Sequence, residues 1–324
     1  MAIRAKKKQE EYNALDAKKN ASNLSDGMLR FNCVRPAANV AYSLLFIALA
    51  LVCVLPVVFV AIISITSEQS IGQYGYSFFP KQLSLSSYRY VWNMRDLVGR
   101  AFLNSVGITV VGTCIGVILT AAMGYTLSRK SYKFRGFFTY FIFIPMLFHG
   151  GTLSSYVVNT QILGLKDTYW ALILPICCSS FNIIIMRTFF TTTGPDEMIE
   201  SGKIDGANQL RIFAQLVLPI CLPALATIAL FLTFAYWNEW YLASIYISSN
   251  RTDLFPLQYI LVSIEEKIQF LINNAGFMGA DAQDMPSETM RMAIVVIAVV
   301  PIMFAYPFFQ KYYISGLTVG AVKG

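Results

Sequence analysis

Six stretches of this chain contain no Asp, Glu, Lys or Arg: 36–67, 101–128, 136–165, 168–186, 212–238 and 292–310. Each has at least 19 residues, and a helix needs about 20 apolar residues to cross a hydrocarbon core of ~30 Å. In lipid, every backbone N–H and C=O must be satisfied within the protein, which leaves helices or a closed barrel. Barrel strands would be about ten residues long and alternating in polarity, and these runs are neither. The sequence therefore predicts an all-α polytopic membrane protein with six transmembrane helices, at about 40–66, 102–127, 136–158, 168–187, 219–247 and 291–312. Composition agrees: 56% of the 324 residues are hydrophobic and 13% charged, against about 25% charge in a soluble domain.

Orientation follows from the basic residues. With six spans, both termini share a side with loops 128–135 and 187–215, and that side holds 17 Lys and Arg against eight on the other. Cytoplasmic loops carry the excess, so both termini are predicted cytoplasmic. The same bias accounts for the net charge of +7, and no nucleic-acid-binding signature accompanies it. The tail 1–39, with Lys6-Lys-Lys8 and Lys18-Lys19, reads as a solvated topology determinant. Its sharper reading is attraction to membrane lipid, at about 1 kcal/mol per basic residue near an anionic surface. The tail is too long for the charged region of a secretory signal, so the first span, 40–66, is expected to be permanent.

The six cysteines, Cys33, Cys53, Cys114, Cys177, Cys178 and Cys221, fall in or beside apolar runs without metal-ligand spacing. They read as small buried hydrophobes, and no cofactor is implied. His149, the one histidine, reads as capped or interfacial. Gly112-x-x-x-Gly116 allows close approach of a neighbouring helix. The external segment 248–290 carries Glu265, Glu266, Asp281, Asp284 and Glu288 and is expected to pack as short helices or to contact a partner.

Residues 193–218 lie between two predicted spans yet are too polar to enter a bilayer. They read as two short helices joined by a turn. Pro195 suits a first helical position, and Asp196 and Glu197 suit the positive end of the helix dipole. Asp205-Gly206 breaks the run, since Gly takes the φ > 0 that a sharp turn often needs. Leu210, Phe213 and Leu216/Val217 recur at helical spacing and give the second helix one apolar face. Surface-lying amphipathic helices are rich in Lys and Arg, whereas residues 195–211 carry Asp196, Glu197, Glu200 and Asp205 against Lys203 and Arg211. The anionic inner leaflet repels that balance. Folding back on its own bundle is the remaining alternative, and a protein partner explains the segment better.

The block Pro195-Asp-Glu-Met-Ile-Glu-Ser-Gly-Lys-Ile-Asp-Gly-Ala207, running on to Leu218-Pro219, resembles the EAA loop of type I ABC importer permeases, in the sugar-uptake family related to the maltose permease G subunit. Ala171-Leu-Ile-Leu-Pro175, Phe181-Asn-Ile-Ile-Ile-Met-Arg187, Tyr236-Trp-Asn238 and Gly316-Leu-Thr-Val-Gly-Ala-Val-Lys-Gly324 are similar to its LplC-like polysaccharide and oligosaccharide branch. The likeness covers roughly 97–324. It implies a permease core at 97–312 containing the coupling loop 193–219, and a cytoplasmic tail at 313–324. It further implies ATPase coupling through Glu200, Ser201, Gly202, Lys203, Asp205, Gly206, Ala207, Leu218 and Pro219. The partners it implies are cytoplasmic ABC ATPase subunits, a second homologous permease and an external sugar-binding protein. One departure is Ser201-Gly202, where the family has two alanines. Gly costs about 1 kcal/mol of helix propensity relative to Ala, so a less rigid docking helix is expected.

The sequence adds that no G-x-x-x-x-G-K-[ST] occurs, so ATP hydrolysis is expected on a partner chain and this subunit is expected to be non-catalytic. A secondary transporter is the alternative, but it commonly shows internal repeats and charges near the membrane midplane. No repeat relates 40–158 to 168–312, and Glu239 lies near the outer end of its span. A membrane enzyme would need a catalytic constellation, and no HExxH or nucleophile elbow is present. Tyr236, Trp237 and Asn238 form a candidate sugar contact, because sugar C–H faces pack on aromatic rings and amides bond hydroxyls. Interfacial anchoring is the competing role for such a cluster.

Overall fold

The apolar runs form helices, but several are interrupted where composition shows no break. A computed structural model describes residues 36–148, 150–193, 196–273 and 287–321. Most of the basic tail, His149, Pro195, Asp281, Asp284 and Lys323 lie outside the described residues. The chain divides into two compact units, 1–59 and 60–324. The described part of the first belongs to helix α1 (Pro36–Ser64), which is apolar all round, as a lipid-embedded helix must be.

The second unit is organised on one long helix. After the short helices α2 (Glu68–Tyr74) and α3 (Ser86–Asn93), α4 spans Arg95–Ser128. Then come α5 (Arg135–Leu147) and α6 (Gly151–Val157), the latter continuing as a π-helical turn to Ile162. Helices α7 (Trp170–Cys177) and α8 (Ser180–Thr193) meet at a 45° bend. A hairpin of α9 (Asp196–Ile204) and α10 (Gln209–Ile220) follows. It leads into α11 (Leu222–Trp237), then α12 (Tyr241–Tyr246), α13 (Leu257–Asn273) and α14 (Ser287–Ala321).

Helix α4 packs against α7, α8 and α11, and its glycines are what let them approach. A Cβ at Gly112 would lie 2.4 Å from the Tyr236 ring, one at Gly116 2.9 Å from the Cys177 carbonyl oxygen, and one at Gly124 2.9 Å from Met186 Cβ. Small residues along one face therefore set the interhelical distance.

Among the described residues, three helices are long and apolar enough to cross a membrane unbroken: Ala38–Ser64, Arg95–Ser128 and Glu288–Pro307. Counting each bent pair as one span brings the number to five. The expected third span is divided between α5 and α6, and α5 alone has 13 residues. The expected fifth span differs at both ends. Leu218–Ile220 belong to the hairpin, which meets α11 at 84°, and α11 stops at Trp237, nine residues before Tyr246 closes α12. The segment 248–290, expected to pack as short helices or to contact a partner, contains among its described residues the short turn Thr252–Leu254 and the 17-residue α13.

On the side away from the hairpin, Glu68 accepts from the Glu288 N–H at 3.0 Å, the Thr289 N–H at 3.1 Å and the Thr289 hydroxyl at 2.8 Å. A carboxylate at the start of α14 satisfies amides that have no helical partner. Asp167, with φ 59°, accepts from the Ser248 N–H at 2.6 Å and its hydroxyl at 2.9 Å. That pins the loop before α7 to the one after α12.

Candidate functional site: a docked hairpin with an exposed edge

The hairpin is built by its turn. Gly206 has φ +77°, its N–H donates to Lys203 O at 3.0 Å, and the Ala207 N–H donates to Gly202 O at 2.9 Å. This pair of bonds is a Schellman closure, in which the residue past the helix end takes the left-handed region where glycine carries no Cβ penalty. A Cβ at Gly206 would meet nothing within 4 Å, so the constraint there is purely backbone. Asn208 then caps α10, its Oδ1 accepting from the Arg211 N–H at 2.8 Å.

Helix α10 is π-helical over Ile212–Val217, and the wider turn shifts the phase of its side chains. The face packed inward is therefore Ile212 and Val217, both 0% exposed, with Ile199 of α9; Leu210, expected on that face, is 78% exposed. Tyr125, near the end of α4, holds the inner face in place, 5.1 Å from Phe213 and 5.8 Å from Phe190 between ring centroids. The second alternative read from the sequence is thus half correct, since one face does fold onto its own bundle. Gly202 is buried at the α9–α10 contact, where a Cβ would lie 2.8 Å from Leu216 Cδ1 and 3.3 Å from Ile212 Cγ1. Glycine at this place serves close packing, not flexibility.

The outer face differs. Glu200, Ser201, Lys203, Asp205 and Gly206 are exposed, as is Pro219, while Ala207 and Leu218 are half-buried. Beside them Ile204 is 86% exposed and Met198 44% exposed, so with Leu210 three bulky aliphatics stand out among polar neighbours. Exposed apolar residues rimmed by polar ones are the kind of surface that protein, membrane or ligand contacts use. Ile204 was not singled out from the sequence; its signal is a large aliphatic on the last helical residue before a glycine turn.

The aromatic cluster lies at the far end of α11, roughly 24 Å away at 1.5 Å per residue. Tyr236 is buried and its hydroxyl donates to Ile173 O at 2.7 Å. The Trp237 Nε1–H donates to Ala298 O at 3.1 Å, and its ring meets Phe102 edge-on at 6.0 Å. Asn238 is exposed, with Nδ2 donating to Phe234 O at 3.0 Å. Two of the three candidate contacts therefore have their polar groups engaged inside the bundle.

No protein-family model matches the chain. It is 38% identical over 281 residues to the polygalacturonan/rhamnogalacturonan transport system permease protein YtcP of Bacillus subtilis, covering 85% of this chain and 94% of that one. It is 36% identical to protein LplC of the same organism, over 84% of this chain and 90% of that one. The chain belongs to the family of sugar ABC-importer permeases. A solved structure of a bacterial ABC transporter involved in import of the acidic polysaccharide alginate is similar to this permease, with a TM-score of 0.71 and 26% identity over 87% of this chain and 99% of that one. The permease is an integral inner-membrane subunit of a sugar importer, with the helical fold of that class. Nothing in these relatives supports a secondary transporter.

Proposed function

We propose that the permease forms half of a translocation pathway with a second homologous permease, and that α9–α10 is the element an ATPase grips. The hairpin's inner face is locked to α4 and α8 through Tyr125 and Phe190, while Ile204, Leu210 and Met198 face outward beside Glu200, Lys203 and Asp205. That division carries the reading: one side is anchored and the other presents exposed aliphatics among charged residues. ATP hydrolysis belongs to the partner ATPase, and an external binding protein delivers the sugar, consistent with relatives named for polygalacturonan/rhamnogalacturonan and alginate transport. The cargo is a polysaccharide-derived oligosaccharide. It enters past the outer end of α11 near Asn238, with Tyr236 and Trp237 bracing the wall. The apolar exteriors of α1 and α5 face lipid or the second permease.

Gly206 tests the reading. Gly206→Val places a β-branched residue at positive φ, where L residues pay about 1–2 kcal/mol, without a steric clash. The expected outcome is insertion and assembly near wild-type levels with ATP-driven uptake lowered at least about tenfold. Gly206→Asn should retain most uptake, since Asn tolerates the left-handed region. Undiminished uptake by Gly206→Val refutes the coupling role.

A further inference from the structure

Three helix interruptions open on one cavity of about 540 Å³. It is bounded by the start of α6 after the break that follows α5, by Pro175 near the end of α7, and by the gap between α11 and α12. Irregular backbone at membrane depth persists only where protein covers it or where it lines a watery cavity. The lining here is largely apolar, with Val158, Pro175, Ile176, Leu242 and Ile245, and carries polar groups from Thr152, Ser155 and Asn159 on one side and from Glu239, Tyr241 and Tyr246 on the other. Asn159 Nδ2 donates to the Tyr246 hydroxyl at 3.0 Å, and the Tyr246 ring stacks on Tyr156 at 6.0 Å with 5° between planes. Those contacts make a rigid back wall. Glu239 is held at the rim, one carboxylate oxygen accepting from the Leu242 N–H at 2.8 Å, and the Tyr241 ring is 46% exposed. The described residues lining the cavity include no Lys or Arg.

We propose that this cavity is a substrate subsite for an uncharged sugar unit. The exposed Tyr241 ring takes a C–H face of the sugar, while Thr152, Ser155, Asn159 and Glu239 bond its hydroxyls. A uronate seated there would bring a carboxylate against Glu239 with no cation among the described lining residues to offset it, and like charges at that range repel. The assignment rests on the transport reading above and narrows it: the unit held here is neutral, although the solved relative imports an acidic polysaccharide.

The test uses the assembled importer in proteoliposomes, carrying Ser155→Cys or, separately, Thr152→Cys. Modification by a cationic and an anionic thiol reagent of equal size is timed above the wild-type background. The cationic reagent should react at least about tenfold faster at both positions, the consequence of a nearby unpaired charge. Glu239→Gln should bring the two rates within about twofold of each other, since only that charge is removed. A neutral disaccharide should slow modification, and a diuronate of the same length should not. Equal rates with Glu239 in place, no reaction at either cysteine, or equal protection by both sugars each overturn the subsite. ATP-driven uptake of the importer's own sugar is recorded on the same vesicles. Intact uptake without charge preference removes the subsite alone, whereas no uptake by the unaltered assembly removes the transport reading.

Discussion

At the residue scale, three glycines of α4 decide whether the bundle closes. Gly112 faces the Tyr236 ring, which its hydrogen bond to Ile173 keeps from swinging away, and Gly116 faces the backbone oxygen of Cys177. Gly112→Ala and Gly116→Ala are therefore expected to cost about 1–3 kcal/mol each through overpacking, read as a lower unfolding midpoint of the purified permease. Gly107→Ala on the same helix meets nothing within 4 Å and should leave the midpoint unchanged. The Gly-x-x-x-Gly spacing was legible in the sequence, but which neighbour it admits was not, because spacing names a helix face and not what packs on it. For Tyr236 and Trp237, sequence suggested aromatic rings available to a sugar. Their donors are instead spent on the Ile173 and Ala298 carbonyls, partners 61 or more residues away in the chain that no local pattern reveals.

At the scale of elements, the bend between α7 and α8 and the gap after α11 depend on loops that hold their ends. Asp167 is one such tie. The Ser248 backbone N–H, then its hydroxyl, then the nearby Lys166 and Arg251 charges hold its carboxyl below the usual Asp range. A depressed folded value means that the tie is at full strength above the ordinary Asp range and is lost as pH falls through the lower, folded value. Hydrogen exchange in residues 163–169 should thus quicken only in that acid window. In Asp167→Asn it should already be faster at neutral pH and should lose that pH dependence. Exchange in the variant that matches the wild type at every pH would remove the tie. That the charge-free runs form apolar helices was legible, since hydrocarbon admits little else; among the described residues three of them are long enough to cross unbroken, or five with each bent pair counted as one. Their interruptions were not, because a helix broken at Phe148 or Cys178 keeps the same apolar composition. The π-helical stretch of α10 likewise rotated Leu210 outward, which a 3.6-residue period cannot register. The turn at Gly206, by contrast, was written in the residue that occupies it.

At the scale of the whole molecule, the basic-residue asymmetry predicts that Ser131 shares a side with the termini and that Asn250 lies on the opposite one. In intact cells, a membrane-impermeant thiol reagent should label Asn250→Cys, and should reach Ser131→Cys only after permeabilisation. The reverse pattern would place the hairpin outside and sink its coupling role. The sharper of the two helix bends, 84°, is where α10 meets α11 at Cys221. Such a corner makes a bell crank, with the hairpin as the short arm and α11 as the long one. Because Tyr125 locks the hairpin to the bundle and Tyr236 and Trp237 tie the far end of α11 to the Ile173 and Ala298 carbonyls, the lever turns only with its neighbours; about ten degrees over ~24 Å of helix carries the Trp237 end through about 4 Å. On the coupling role proposed above, a push on the hairpin would be felt at the opposite end of α11 with neither arm unfolding.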